Sequence, residues 1–403
     1  MNTKVKRPFG AFCSMMAGGF VLFVLMKAIQ PRLPQVLFDY TTWDAMRSDS
    51  FLYRILWLIG DGSEPQFAKS VLGGAFVIAG GWLAYYLDQK QSRLRGTPVA
   101  YGSGKLYPWV FVATILSLLV GGLVFGGMHV DGDTWVATYV PYVSVPGAIV
   151  FLYGAGFKVA VTGAVLSAFI TIPITTFIRN VLCLPSGLPG AIANVAGMCI
   201  GGAFVFEICR ALPWMDLAHP VIPEGSRKIE GEMPMDEYKK KYPTRFFFRR
   251  ILCDYSETVF LANEWAALFL LVGCFLSWFL NPMHPFYGSG LFPELILSQV
   301  LCCGFSMFLW WDQWMKREGG YSTFLAAVSV GPACIQIFGS SIQVIVIGAL
   351  LGSILCPPMA DMVNRKIPSH WHPMMGNTFS MAVCCLVVTL VMRYLQIAVP
   401  GIY

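Results

Sequence analysis

Tyr101-Gly102-Ser103-Gly104-Lys105-Leu106-Tyr107-Pro108 recurs, one residue shorter, as Tyr287-Gly288-Ser289-Gly290-Leu291-Phe292-Pro293. Downstream the register holds without a gap for a long way. Val143-Ser144-Val145-Pro146-Gly147-Ala148 aligns with Val328-Ser329-Val330-Gly331-Pro332-Ala333, and Tyr153-Gly154 aligns with Phe338-Gly339. Gly163-Ala164-Val165-Leu166 then meets Gly348-Ala349-Leu350-Leu351, and Pro173 meets Pro358. After a small gap, Asn194 and Met198 pair with Asn377 and Met381. Upstream, Ala84-Tyr85-Tyr86-Leu87-Asp88 resembles Ser277-Trp278-Phe279-Leu280-Asn281. Apolar composition alone aligns Leu with Val. It does not align a Tyr-Gly-Ser-Gly block followed by leucine, an aromatic and proline, so the chain reads as two copies of one unit.

The composition says what kind of unit. Of 403 residues, 56% are hydrophobic and 12% charged, where a soluble domain carries about 25% charged residues. Mean hydropathy is +0.62. About 20 predominantly apolar residues make a membrane-crossing helix, and such stretches recur from Ala11 to Val399. The pattern predicts an all-α integral membrane protein with helices at about 11–29, 68–87, 108–127, 139–155, 158–178, 189–211, 258–280, 292–311, 322–339, 342–362 and 375–396. The expected organisation is an N-terminal helix and outer amphipathic segment (1–67), repeat 1 (68–211), a cytoplasmic linker (212–257) and repeat 2 (258–403), each repeat having five transmembrane helices. The run Ala11–Val24 follows Lys4, Lys6 and Arg7, and no small-x-small cleavage site comes after it, so it reads as an uncleaved first helix.

Loop charge orients the helices. With a cytoplasmic N-terminus, Lys90, Arg93, Arg95, Lys105, Arg227, Lys228, Arg249, Arg250, Lys316, Arg317, Arg365 and Lys366 fall on the inner side, while Asp131 and Asp133 fall outside. Eleven crossings then put the C-terminus outside, in a plasma (inner) membrane. Five crossings per unit is an odd number, so the copies must be inverted. The loop before 108–127 is basic, and its counterpart at Asn281–Phe292 has no Lys or Arg. Two further stretches read as amphipathic: Ser48–Ile59 on the outer surface, and Lys239–Arg250 with Phe246-Phe247-Phe248 against inner anionic lipid.

Inverted repeats suit alternating access, with the solute near the midplane at interrupted helices. The segments Tyr139–Tyr153 and Ser322–Phe338 each carry a Pro-Gly or Gly-Pro step. Proline frees a carbonyl and glycine permits unwinding, so Ser144, Pro146, Gly147, Ser329, Gly331 and Pro332 are the expected substrate-binding centre. The plain alternative is a kink that serves packing. Thr114 with Gln299, and Asn194 with Asn377, are register-equivalent polar positions in helices and join the expected substrate-binding set, interhelical hydrogen bonding being their alternative role. Glu264 with Asn263 sits inside the predicted helix 258–280 and is the expected ion-coupling pair. The YGSG blocks read as tight turns ahead of proline-started helices.

Several classes are excluded or disfavoured. The net charge of +6 is spread over a few loops, which is no nucleic-acid signature. The twelve cysteines, Cys302-Cys303 and Cys384-Cys385 among them, lie in apolar runs and read as small buried hydrophobes. His129, His219, His284, His370 and His372 fall in loops or at helix ends and form no ligand cluster. No Walker loop, GxSxG or HExxH occurs, and no paired acid motif lies within a predicted membrane segment. No catalytic residue, metal or cofactor is therefore expected.

The five-plus-five arrangement resembles that of urea and ammonium channels. The resemblance is one of architecture, without their pore motifs, and it assigns no residue a role. The expected function is a non-enzymatic secondary transporter for a small polar or anionic solute, with H⁺ or Na⁺ coupling as an added option. Its partners are that solute and the lipid bilayer, with room for a homo-oligomer and no nucleic acid. The alternatives are a passive small-solute channel, a membrane-embedded enzyme acting on lipid through Asp361, Arg365, His370 and His372, and a structural subunit.

Overall fold

The computed structural model describes residues 6–398 apart from 48, 101–103, 127–136, 219–227, 230–232, 318 and 319. Lys4, the first three residues of the YGSG block at 101, His129, Asp131, Asp133, His219 and Arg227 lie outside the described residues. The elements are α1 (Phe9–Ile29), α2 (Tyr40–Met46), α3 (Phe51–Gly60), α4 (Val71–Gln89), α5 (Tyr107–Val124), α6 (Tyr139–Val143), α7 (Val145–Tyr153), α8 (Phe157–Ile178) and α9 (Gly190–Ala211). A short antiparallel hairpin follows, β1 (Lys228–Ile229) with β2 (Met233–Pro234). Then come α10 (Met235–Lys241), α11 (Pro243–Glu257), α12 (Glu264–Leu280), α13 (Phe292–Leu309), α14 (Trp311–Lys316), α15 (Val330–Phe338), α16 (Ile342–Asn364) and α17 (Met374–Ala398).

The chain is all-α in its packed layers. Among the described residues eight helices are long and apolar enough to cross a membrane: α1, α4, α5, α8, α9, α13, α16 and α17. That is consistent with an integral membrane protein. Helical structure occurs in every segment the hydropathy predicts, but α12 and the two interrupted segments are shorter than a full span. Large apolar side chains point outward on α1 (Val21, Leu25), α8 (Phe157, Phe169), α9 (Phe204), α12 (Phe279) and α17 (Leu390). Lipid satisfies such a surface; water does not.

Small residues let the helices approach closely. α4 and α12 run antiparallel, with Gly73 against Cys274 and Gly80 against Ala266 and Phe269. A Cβ on Gly80 would stand 2.7 Å from that of Phe269, so the glycine is a packing requirement. α9 packs on α17, and α1 lies along α13 with Gly19 on Val300 and Gly304 on Met16. Lys27 of α1 pairs with the buried Glu294 of α13 at 2.8 Å.

Two boundaries differ from the hydropathy reading. The helix expected at 258–280 begins at Glu264, because Asn263 caps it: its Oδ1 accepts the N–H of Trp265 at 2.7 Å and of Ala266 at 3.2 Å. The helix expected from 68 begins at Val71, capped by Ser70 Oγ on the Gly73 N–H at 2.9 Å. The segments 61–70 and 254–263 are therefore non-helical at their helix-proximal ends, yet buried. The amphipathic stretches also turn inward. Phe246 and Phe247 are buried in the protein, only Phe248 of that run is exposed, and α11 packs on α12 and α13. In α3, Phe51 and Leu52 are exposed while Trp57 and Leu58 are buried.

The interrupted segments break at serine, just before the Pro-Gly step. Ser144 (φ −132°, ψ −85°) separates α6 from α7, and Ser329 (φ −151°, ψ −85°) separates a 3-10 turn at Leu325–Val328 from α15. Each hydroxyl donates to the carbonyl four residues back, Val140 at 3.0 Å and Leu325 at 2.5 Å. Each following helix ends on a glycine with positive φ, Gly154 at 84° and Gly339 at 87°. Pro146 falls in the first turn of α7, where no N–H is needed.

Candidate functional site

Two buried loops face each other across the centre of the molecule. Asp61-Gly62-Ser63-Glu64-Pro65-Gln66-Phe67-Ala68-Lys69-Ser70 precedes α4, and Asp254-Tyr255-Ser256-Glu257-Thr258-Val259-Phe260-Leu261-Ala262-Asn263 precedes α12. They share a fold. Ser63 Oγ accepts the Ser70 N–H at 3.0 Å and faces the Ser70 carbonyl at 3.2 Å. Ser256 Oγ accepts the Asn263 N–H at 3.1 Å and faces the Asn263 carbonyl at 3.0 Å. Phe67 and Phe260 both take left-handed φ, 59° and 60°, a conformation that costs a non-glycine residue about 1–2 kcal/mol.

Each loop carries two carboxylates around one cation. Lys69 pairs with Asp61 and, at 2.7 Å, with Glu64. Arg250 pairs with Glu257 and, at 2.6 Å, with Asp254. The first aspartate of each loop also accepts a threonine hydroxyl. Thr138 reaches Asp61 at 2.6 Å and Thr323 reaches Asp254 at 3.4 Å. Gln66 Nε2 joins the loops by donating to the Tyr255 carbonyl at 2.7 Å, and Gln299 Nε2 supports it by donating to the Gln66 carbonyl at 2.9 Å.

Between the loops lies a partly open cavity. Its lining comes in register-matched pairs: Glu64 with Glu257, Phe67 with Phe260, Tyr139 with Phe324, Val143 with Val328, Asn194 with Asn377, and Met198 with Met381. Asn194 donates from Nδ2 to Tyr139 Oη, and the Ser322 hydroxyl bonds Asn377 Oδ1 at 3.0 Å. At one end a second cavity, lined by Tyr40, Arg179, Tyr287 and Gln336, shares Glu64, Phe67, Ala191 and Asn194 with the first. This is an open vestibule. On the Phe260 side of the cavity Phe151, Phe260 and His372 pack ring on ring, with centroids 5.5–5.8 Å apart. Phe151 holds the register position that Gln336 holds at the vestibule. The ring shielding drives the His372 pKa down to about 4, so this imidazole is neutral at pH 7. Its Nδ1 accepts the Met374 N–H at 3.1 Å.

The expected site residues divide. Ser144, Asn194 and Asn377 line the cavity. Ser329 is fully buried on its own 3-10 turn, Gly147 lies under the Phe260 ring, and Gly331 abuts Ser298 and Cys302. Pro146 and Pro332 are buried within their helices. Thr114 bonds back to the Val110 carbonyl at 2.9 Å within α5, and Gln299 holds the first loop. Glu264 and Asn263 lie away from the cavity. Glu264 accepts from Arg249 at 2.7 Å and from the Thr97 N–H at 2.6 Å, while Asn263 caps α12 and bonds the Arg95 carbonyl at 3.1 Å. Glu64 and Glu257 were missed because both stand in stretches assigned to connectors. A shared Asp-x-Ser-Glu-x-x-Phe pattern, in the register already given by Ala84 and Ser277, was the available signal.

The four residues considered for lipid chemistry do not converge. Asp361 binds Arg317 and Arg365, His370 binds Glu207 at 2.8 Å, and His372 sits in the aromatic layer. All twelve cysteines are unpaired thiols, ten of them buried. Among the described residues no group of three or more His, Cys, Asp or Glu is placed to hold a metal. No protein-family profile matches the sequence, and no curated protein is detectably similar to it.

Proposed function

We propose that this protein is a secondary transporter that moves a small polar solute by alternating access between two inverted five-helix repeats. In this reading the chain crosses a plasma (inner) membrane eleven times, with the N-terminus cytoplasmic and the C-terminus outside. The repeats extend upstream of 68 and 258 to take in α3 and α11 with their acidic loops. The observation that carries the reading is the central cavity, which draws register-matched residues from both halves, shares four lining residues with a neighbouring vestibule and is bordered at Phe260 by a layer of three rings. Exchanging the conformations of two inverted halves would close the vestibule side and open the ring-lined side. Glu64 and Glu257, rather than Glu264, become the candidates for proton or sodium coupling, since they face the cavity from buried ion clusters. The anionic half of the sequence expectation is dropped, because an anion in this cavity would lie between two carboxylates.

The test is thiol access in a Cys13→Ser background, since Cys13 is the exposed native thiol. Gln336→Cys and Phe151→Cys are probed with a membrane-impermeant reagent in oriented vesicles, with and without candidate solutes. Alternating access requires reciprocal change: solute that protects one position exposes the other, and vesicle uptake saturates and is stimulated by solute on the opposite side. Simultaneous access at both positions with non-saturating flux would establish the channel reading instead.

A further inference from the structure

The chemistry of the cavity wall specifies a class of solute. Glu64 and Glu257 face the cavity from opposite halves, while their cations Lys69 and Arg250 stand behind them, 2% and 5% exposed, and do not line it. Among the described residues no Lys, Arg or His lines it. Arg179 stands in the vestibule, where its guanidinium bonds Asn180 at 3.3 Å. Asn194, 8% exposed, gives its Nδ2 to Tyr139, and its Oδ1 has no partner among the described residues. A buried acceptor without a donor loses its hydration for nothing, so this oxygen awaits a donor from the cavity. The rings of Phe67, Tyr139, Phe260 and Phe324 also face the cavity, beside apolar Val and Met side chains and the polar Ser144, Thr258, Asn377 and Thr378.

We propose that the solute is a small organic cation bearing a protonated primary amine. An ammonium offers three N–H donors and no acceptor, which complements two carboxylates and an unpartnered amide oxygen. Charge-assisted N–H···O⁻ bonds are the strong ones, and aromatic faces add attraction for a cation. A neutral polyol would meet the same acceptors with weaker donors. An anion would meet repulsion at low dielectric. The proposal rests on the transporter reading for the identity of the site, but binding itself can be measured without transport.

The experiment is isothermal titration of the purified full chain with ethylammonium, guanidinium, urea, glycerol and acetate, paired with uptake of each in vesicles. Ethylammonium is expected to bind more tightly than the neutral and anionic probes. Glu64→Gln and Glu257→Gln should each weaken it by about tenfold or more, the loss of one bond to a charged group. Should either variant fail to fold because its buried cation keeps only one of its two carboxylates, Asn194→Leu keeps the proposal testable, since it removes the free acceptor without touching charge, and it too should weaken binding. Binding of urea, glycerol or acetate as tight as that of ethylammonium, or ethylammonium binding indifferent to Asn194→Leu, overturns the proposal. Ethylammonium binding without uptake supports this inference and removes the transporter reading. Uptake of a neutral or anionic probe without ethylammonium binding does the reverse.

Discussion

The two acidic loops hold the same shape with cations drawn from different places. In the first, Lys69 comes from the loop itself and lies 4.1 Å over the ring of Trp57. In the second, Arg250 comes from α11, one turn before Asp254, and stands in the register position that Trp57 occupies in the first. The lysine register position is Ala262 in the second loop. What the halves share is a positive charge between two buried carboxylates, whichever residue supplies it. The physical constraint is compensation of buried charge, and it is satisfied in space before it is satisfied in sequence.

The largest effect should come from removing those cations. Lys69→Met and Arg250→Met each strand a pair of buried carboxylates, and loss of one partner of a buried pair costs about 3–5 kcal/mol. Thermal unfolding of the purified variants measures it. The comparison sharpens with a relocation: Trp57→Arg in the Lys69→Met background moves the cation to the position used by the second half and should recover part of the lost stability. Failure to recover any would mean the two clusters are not equivalent.

Next come the loop serines. Ser63→Ala and Ser256→Ala each leave a buried N–H without its acceptor, a loss of about 1–3 kcal/mol. Equal losses in the two halves are expected from equal geometry. A large effect at one and none at the other would break the comparison.

The two sides of the cavity differ by a ring against an amide. Phe151→Gln makes the ring-lined side resemble the vestibule, where Gln336 stands, and should produce solute leak in both directions, together with a loss of stability from the broken ring packing. Vesicle efflux without counter-solute reads it. An unchanged, tightly coupled flux would show that the aromatic layer is not the barrier.

The smallest effect is with pH. His372 is held neutral in the folded protein, with its pKa lowered from 6.5 to about 4, and burial lowers that of His284 as well. A lowered histidine pKa means the unfolded chain binds the proton more readily. The contribution is therefore intact above pH 6.5 and is lost as pH falls from 6.5 toward about 4. Unfolding midpoints should drop over that window, and His372→Phe should flatten the drop while leaving the midpoint at pH 7 little changed.

How much of this was legible beforehand varies by feature. Hydropathy located the long helices to within a few residues, because a span is a local, contiguous property of the chain. The broken segments were legible from proline and glycine, although the break fell on Ser144 and Ser329, whose hydroxyls bond back one turn. Asn194 and Asn377 could be picked from their shared register. Glu64 and Glu257 could not be picked from hydropathy, since an acidic stretch between helices looks like a solvated connector. Glu264 misled for the opposite reason. It stands next to an apolar run and so looked intramembrane, yet it opens α12 and pairs with Arg249.

The sequence by itself determined the helical class and the long apolar spans, because these follow from composition and periodicity over neighbouring residues. Only the tertiary structure decided which polar groups meet. Lys69 and Glu64 are near in sequence, but Glu64, Tyr139, Asn194, Glu257 and Asn377 come together across hundreds of residues. Burial of charge is tolerated only where a partner from another element arrives, and no local pattern records that arrival.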